Sequence, residues 1–280
     1  MPSPRPGTAR YGGNTSCVEV RAAPGSVCVL DAGTGIRAID GKPGELERVD
    51  VLLTHLHMDH ILGLGFFRPL FRPGLEVHLW GPPSTTQSLH GRLSRYLSPP
   101  LFPVHLRDLP CRLVLHDAPR GTLELPGPRV TADLVCHPGP TLGYRLEGDG
   151  GGVLAYLPDH EPALGTAGVV GPPEWTSGYD LARGADVLIH DAQYTDDEYP
   201  DRVGWGHSSL SQAVAFAELA GVARLVTFHH DPDHGDRILD AVHAGTGRRR
   251  DGTVDVVAGR EGEELRIGGR HLSRNQPAAT

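Results

Sequence analysis

Cysteine is sparse in this chain of 280 residues, which carries only Cys17, Cys28, Cys111 and Cys136. They show neither a paired metal-binding spacing nor a dense framework, so a disulfide scaffold is excluded and buried thiols in a reducing compartment, the cytoplasm, are expected. No apolar run approaches the ~18 residues of a membrane helix, and Met1-Pro2-Ser3-Pro4-Arg5-Pro6 has no hydrophobic signal region. No membrane partner is therefore expected. Basic charge is also short: 26 Lys and Arg face 34 Asp and Glu, a net charge of −8. Arg248-Arg249-Arg250 forms the one basic run and reads as a solvated turn. Extended nucleic acid is carried by clustered cations that neutralise phosphates, so it is not expected as a partner.

What is present is enough apolar residue, 39%, to bury one full core. Strand-like runs fall near residues 17–22, 26–31, 49–54, 75–81, 129–136, 142–147, 152–157, 186–191, 223–229 and 253–258. Helical stretches fall near 59–71, 208–220 and 234–244, and two sheets with helices outside fit this order. The 37 Gly and 25 Pro lie largely between these segments and read as turns. No internal repeat is visible.

The chemistry concentrates in Thr54-His55-Leu56-His57-Met58-Asp59-His60. At the end of an extended segment His55 and His57 project to the same side, so both can reach one cation. Asp59 and His60 turn away into the apolar run that follows and can address a second cation. Imidazole and carboxylate donors at this spacing suit zinc. Further donors stand at the carboxyl ends of other strand-like runs: His137 before Pro138-Gly139-Pro140, Asp159 in Pro158-Asp159-His160-Glu161, and His229 in His229-His230-Asp231-Pro232. Strand-to-loop transitions of α/β proteins collect functional groups there. His160, Glu161, His190 and His234 are expected as solvated loop residues, with a supporting role at the site as the alternative.

With these residues in place the chain resembles the metallo-β-lactamase fold superfamily, and within it the ribonuclease Z and cyclic phosphodiesterase branch. The likeness begins at Tyr11-Gly12-Gly13-Asn14-Thr15-Ser16-Cys17 and Leu30-Asp31-Ala32-Gly33-Thr34-Gly35 and runs through the His55 to His60 signature to the His229 turn. It implies an α/β fold, a four-layer αββα sandwich over residues 11–268, with 1–10 as an N-terminal extension that holds a truncated first strand and 269–280 as a disordered tail. It implies that His55, His57 and His137 hold one metal, that Asp59, His60 and His229 hold the other, and that Asp159 bridges them. Asp31 would be a buried supporting carboxylate. His229 is preferred to His230 on the family's pattern.

Ile189-His190-Asp191-Ala192 and Trp205-Gly206-His207-Ser208-Ser209 resemble the elements in which an acidic residue orients a proton-donating histidine. Asp191 stands here one methylene short of the family's Glu. His207 precedes Ser208-Ser209-Leu210-Ser211-Gln212-Ala213, which reads as a capped helix start, a natural seat for a phosphate oxygen. The catalytic candidates are thus Asp59, Asp191 and His207. In ribonuclease Z enzymes a basic arm that grips transfer RNA is inserted in the region of residues 81–115. Here Pro99-Pro100-Leu101-Phe102-Pro103-Val104 is compact and not basic, and reads as a lid or wall over a small pocket.

The expectation is a hydrolase with two divalent metal ions, zinc by default with manganese or iron also suited, acting on a small or cyclic phosphodiester. Ester, thioester or lactam hydrolysis, transfer RNA 3′-end processing and a non-catalytic metal-bearing sensor are the alternatives. A small-molecule phosphodiester is the expected partner, and a homodimer is compatible with the sequence.

Overall fold

The computed structural model describes residues 2–39, 46–162, 172–244 and 254–268. Two sheets dominate it. The first holds β1 (Val18–Ala23), β2 (Ser26–Leu30), β3 (Arg48–Leu52), β4 (Glu76–Gly81) and β5 (Arg112–Asp117), in that order, parallel except for the β1–β2 pair. The second holds β6 (Gly121–Leu123), β7 (Arg129–Leu134), β8 (Leu142–Glu147), β9 (Val153–Leu157), β10 (Val187–Asp191), β11 (Arg224–Phe228) and β12 (Asp255–Ala258). Its order runs from β12 down to β6, antiparallel from β6 to β9 and parallel from β9 to β12.

Strand alternation builds three cores. Val27 and Val29 of β2 and Val49 and Val51 of β3 face outward, onto Ile61, Leu64, Phe67, Leu89 and Leu93. Cys28, Leu30 and Leu52 face inward and meet Val130, Tyr144, Leu154, Tyr156, Val187 and Ile189 of the second sheet. Ala155, Leu157, Leu188 and Leu225 point out on the far side, against Leu181, Ala213, Phe216 and Ala217. Helices outside, two sheets inside: this is the expected four-layer αββα sandwich.

The helices are α1 (Met58–Ile61), α2 (Leu89–Leu93), α3 (Tyr179–Ala182), α4 (Leu210–Leu219) and α5 (Asp236–His243). The helix expected over 59–71 is instead one α turn followed by 3-10 turns at Leu64–Phe66 and Arg68–Phe71. Gly63, Gly65 and Pro69 explain the break, having poor helix propensity. β5 and β6 were not expected, nor α2 and α3, which are only five and four residues long. The stretch over 81–115 packs on the outer face of the first sheet: Leu93, Leu97 and Leu106 are buried in that core and Tyr96 Oη donates to the Leu62 carbonyl at 2.7 Å.

Residues 2–10 contain a 3-10 turn at Pro6–Thr8 and no strand, and they dock on α5, where the Arg10 amide donates to Asp236 and its guanidinium pairs with Asp240. The Arg248 to Arg250 run and the tail over 269–280 lie outside the described residues.

Parallel register brings the loops of the site to one rim. Leu30 sits opposite Leu52, and Leu52 opposite Trp80, so the residues that follow β2 and β3 emerge side by side. Leu157, His190 and Thr227 are likewise level, so Asp159, Asp191 and His229 leave β9, β10 and β11 as neighbours. The first loops approach closely: a Cβ on Gly63 would lie 2.1 Å from the Gly33 carbonyl oxygen and 2.5 Å from Ile36 Cγ2, and one on Gly33 would lie 2.4 Å from the Asp59 carbonyl oxygen. Gly63→Ala is therefore expected to lower stability by about 1–3 kcal/mol through overpacking. Gly7→Ala, where a Cβ meets nothing within 4 Å, should be far milder. Equal denaturation midpoints for the two variants would contradict this packing.

Candidate metal centre and active site

Asp31 follows β2 in the left-handed region, φ 59°, with no solvent exposure. Its Oδ1 accepts the Thr54 amide at 2.7 Å and the Thr54 hydroxyl at 3.0 Å, and its Oδ2 accepts Tyr156 Oη and His60 Nδ1, both at 2.9 Å. The Thr54 hydroxyl proton is thereby committed, so the contact at 3.0 Å to His55 has His55 Nδ1 donating. His137 Nδ1 donates to the Gly206 carbonyl at 2.9 Å and His229 Nδ1 to Gln193 Oε1 at 3.1 Å. His55, His60, His137 and His229 thus each anchor Nδ1 in the protein and turn Nε2 to a common centre. Anchoring of this kind orients metal-binding imidazoles.

Asp159, 1% exposed, stands at that centre. Its Oδ2 lies 3.7 Å from Nε2 of both His55 and His137, and its Oδ1 lies 3.0 Å from His60 Nε2 and 3.5 Å from His229 Nε2. Asp59 Oδ2 is 3.1 Å from His229 Nε2 and 3.5 Å from His60 Nε2. His57 Nδ1 faces His137 Nε2 at 3.3 Å. Donor atoms of His55, His57 and His137 lie within 4.8 Å of one another, and so do those of Asp59, His60 and His229. His55 Nε2, His60 Nε2 and Asp159 Oδ1 are buried without a hydrogen-bond partner, which suits cation ligands better than finished polar contacts. The donor set fits two divalent cations, and an all-nitrogen-and-oxygen set accepts zinc, manganese or iron.

The electrostatics divide the cluster. Burial holds His55, His57 and His137 below the usual imidazole range. Burial opposes charge at His60 and His229 too, but the Asp159 carboxylate, with Asp31 at His60 and Asp59 at His229, outweighs it. His60 is raised well above its ordinary value and His229 to about 9. Asp159 and Asp59 are held low against their own burial by the same imidazoles. Protons and cations therefore compete for the same nitrogens.

His207 reaches the same centre from the loop before α4. Its Nδ1 contacts Asp191 Oδ2 at 2.6 Å, and its ring stacks on His229 at 5.0 Å and 14° and meets His137 edge-on at 5.0 Å. The shorter Asp191 reaches because it ends β10 itself, fully buried, where it also accepts the amides of Gln193 at 2.9 Å and of Ser208 and His160 at 3.2 Å. Donor atoms of His137, Asp159 and His207 lie within 4.8 Å of one another. Ser209, not Ser208, caps α4 in a reciprocal box with Gln212.

Every candidate site residue named from the sequence lies in this cluster. His230 turns away, edge-on to Tyr11 and His243. Thr54, Tyr156 and Gln193, which orient His55, Asp31 and His229, carried no sequence signal beyond adjacency to the motifs. His160, Glu161, His190 and His234 are buried rather than solvated. Imidazole contacts account for part of this, with His160 Nδ1 and His190 Nε2 2.9 Å apart.

The profile described as the beta-lactamase superfamily domain matches residues 28–230. Ribonuclease Z of Myxococcus xanthus is 29% identical over 273 residues, covering 81% of this chain and 86% of its own. Ribonuclease Z of Mycobacterium marinum is 30% identical over 251 residues, covering 82% and 84%. Among solved structures, the metallo-beta-lactamase fold protein YhfI from Bacillus subtilis superposes with a TM-score of 0.62 at 17% identity, covering 89% of this chain and 90% of its own. The ribonuclease relatives overturn the expectation that extended nucleic acid is not a partner. Net charge is a sum over the whole surface and carries no information on where the cations lie.

If His229 is a ligand, it must lose its proton to bind, so metal affinity should rise with pH up to about 9 and binding should release protons. Titration calorimetry with Zn²⁺ in buffers of different ionisation heat checks this, and an affinity independent of pH would contradict it.

Proposed function

The chain belongs to the β-lactamase superfamily, in the ribonuclease Z-like branch of the metallo-β-lactamase fold, and from that premise we propose that this metal-dependent hydrolase is a phosphodiesterase. The observation that carries the reading is His207, oriented by Asp191 at 2.6 Å and stacked on His229. His55, His57 and His137 would hold one divalent cation, zinc by default, and Asp59, His60 and His229 the other, with Asp159 between them. Bound there, the pair would supply Lewis acidity and make hydrolysis possible at neutral pH.

The protein's own groups do the rest. Asp159 and Asp59 balance the positive charge and orient what binds between them. Breaking a phosphodiester expels an alkoxide, a poor leaving group unless it is protonated, and His207 is the group to deliver that proton. Its Nδ1 donates to Asp191, so Nε2 is the nitrogen that hands the proton over. Acyl substrates need such an acid less. The compact, non-basic segment Pro99 to Val104 favours a small or cyclic diester, whereas the ribonuclease Z relatives favour an RNA 3′ end as a second substrate. The four free cysteines accord with a cytoplasmic location.

The test combines metal content with hydrolysis of bis-p-nitrophenyl phosphate, a cyclic nucleotide and a transfer RNA precursor. Asp159→Ala should lose metal and all turnover. His207→Ala should keep metal and lose about 10²- to 10⁴-fold on the cyclic nucleotide or RNA, with a much smaller loss on p-nitrophenyl esters, whose leaving group needs no proton. Two metals per chain without turnover of any phosphodiester would refute the reading and leave acyl substrates or sensing.

A further inference from the structure

We infer that Glu161 is a positioning residue that sets the loop carrying His207 against the metal-site histidine His137. The inference rests on the phosphodiesterase reading of His207. Glu161 lies two residues beyond Asp159 and has no solvent exposure. Its Oε1 accepts Tyr199 Oη at 2.7 Å and the Gly204 amide at 2.9 Å, and its Oε2 accepts the Gly206 amide at 2.8 Å. Its own amide donates to the Cys136 carbonyl at 2.9 Å, one residue before His137. One residue, through its amide and its carboxylate, thus ties together the loops that follow β7 and β9 and the loop that precedes α4.

The end of the last of these is also held at Ser208, whose amide donates to Asp191 and whose hydroxyl donates to the His160 carbonyl at 2.6 Å, but the stretch before it packs loosely. Residues 201–205 are exposed, including Val203 at 42% and Trp205 at 57%, so the loop buries few apolar side chains of its own. Yet its end must be placed closely. The Gly206 carbonyl accepts His137 Nδ1, and a Cβ on Gly206, whose φ is +87°, would lie 2.2 Å from Pro138 Cδ and 2.5 Å from His137 Nδ1. Glu161 holds the amide of the same residue, so the carboxylate, Gly206 and His137 form a continuous relay that ends one residue before His207. Hydrogen bonds to a carboxylate are about twice as strong as neutral ones. Such bonds can fix a loop that packing does not.

Glutamine keeps the shape but turns an NH2 group toward a backbone donor. Glu161→Gln should therefore release the loop without emptying the metal site. Expected are unchanged metal content, turnover of bis-p-nitrophenyl phosphate within about threefold of the natural chain, and a loss of roughly 10²-fold on a cyclic nucleotide, the scale of a misplaced general acid. Combined with His207→Ala, the substitution should add almost nothing on the cyclic substrate. Tyr199→Phe, which removes one donor, should move the same ratio in the same direction by less, and serves if Glu161→Gln fails to fold.

Amide hydrogen exchange at Gly204 and Gly206 reads the clamp without turnover, and both should lose protection in Glu161→Gln. Equal losses on both substrates with metal lost would make Glu161 a support of the centre itself and overturn the inference, as would unchanged exchange and unchanged rates. If the natural chain hydrolyses no phosphodiester, the functional reading fails while the exchange result still decides the clamp.

Discussion

The structure depends on a carboxylate buried between two sheets. Asp31 belongs to the first sheet's loop, Tyr156 to the second sheet, and Thr54 and His60 to the segment that carries the metal-site residues. A carboxylate without water costs free energy unless donors converge on it, and here the convergence is what joins the two halves. The left-handed backbone at Asp31 is strained for a residue with a Cβ, as it is at His229, φ 57°. Strain of this kind persists where surrounding contacts over-determine it and clusters at functional sites.

From that bond the geometry of the centre follows by proton counting. Asp31 takes the Thr54 hydroxyl proton, the Thr54 oxygen is left to accept from His55, and His60 is held directly. Gly206 and Gln193 do the same for His137 and His229. Each imidazole is pinned at one nitrogen, and the other faces Asp159. The protein answers this crowding by keeping protons on His60 and His229, so that protons and cations compete for the same atoms.

Support around the centre is layered in the same way on the side of His207. Asp191 at the end of β10 orients His207, and Glu161 after β9 ties the loop that delivers it. Both carboxylates collect backbone amides from the loops around the centre. A phosphoryl-transfer site needs this order more than a large apolar pocket, because its catalysis comes from positioning charge rather than from burying substrate. The acidic total of the chain misled on partners for a related reason: function depends on local charge, and the sum hides it.

Much of this was legible in the linear sequence. Period-two alternation marked β1 to β4 and β7 to β12 within a residue or two, and the His55 to His60 spacing marked the centre, because ligands on one loop are constrained by chain geometry alone. The three to five residues of β6, α2 and α3 hold too little periodicity to be legible, and β5, none of whose six residues is buried, lacks the alternation that marks a buried face. Nor were Thr54, Tyr156 and Gln193 legible as supports, and Glu161 was open only as an alternative, because their partners lie far away in sequence: Glu161 meets Gly206 across 45 residues and Tyr156 meets Asp31 across 125. The sequence by itself determined which donors could bind a cation and which strands end beside them. The tertiary structure alone decided which nitrogen of each imidazole faces inward and which distant groups hold the other. Those choices belong to hydrogen bonds that exist only once parallel register has brought separate strand ends to the same rim.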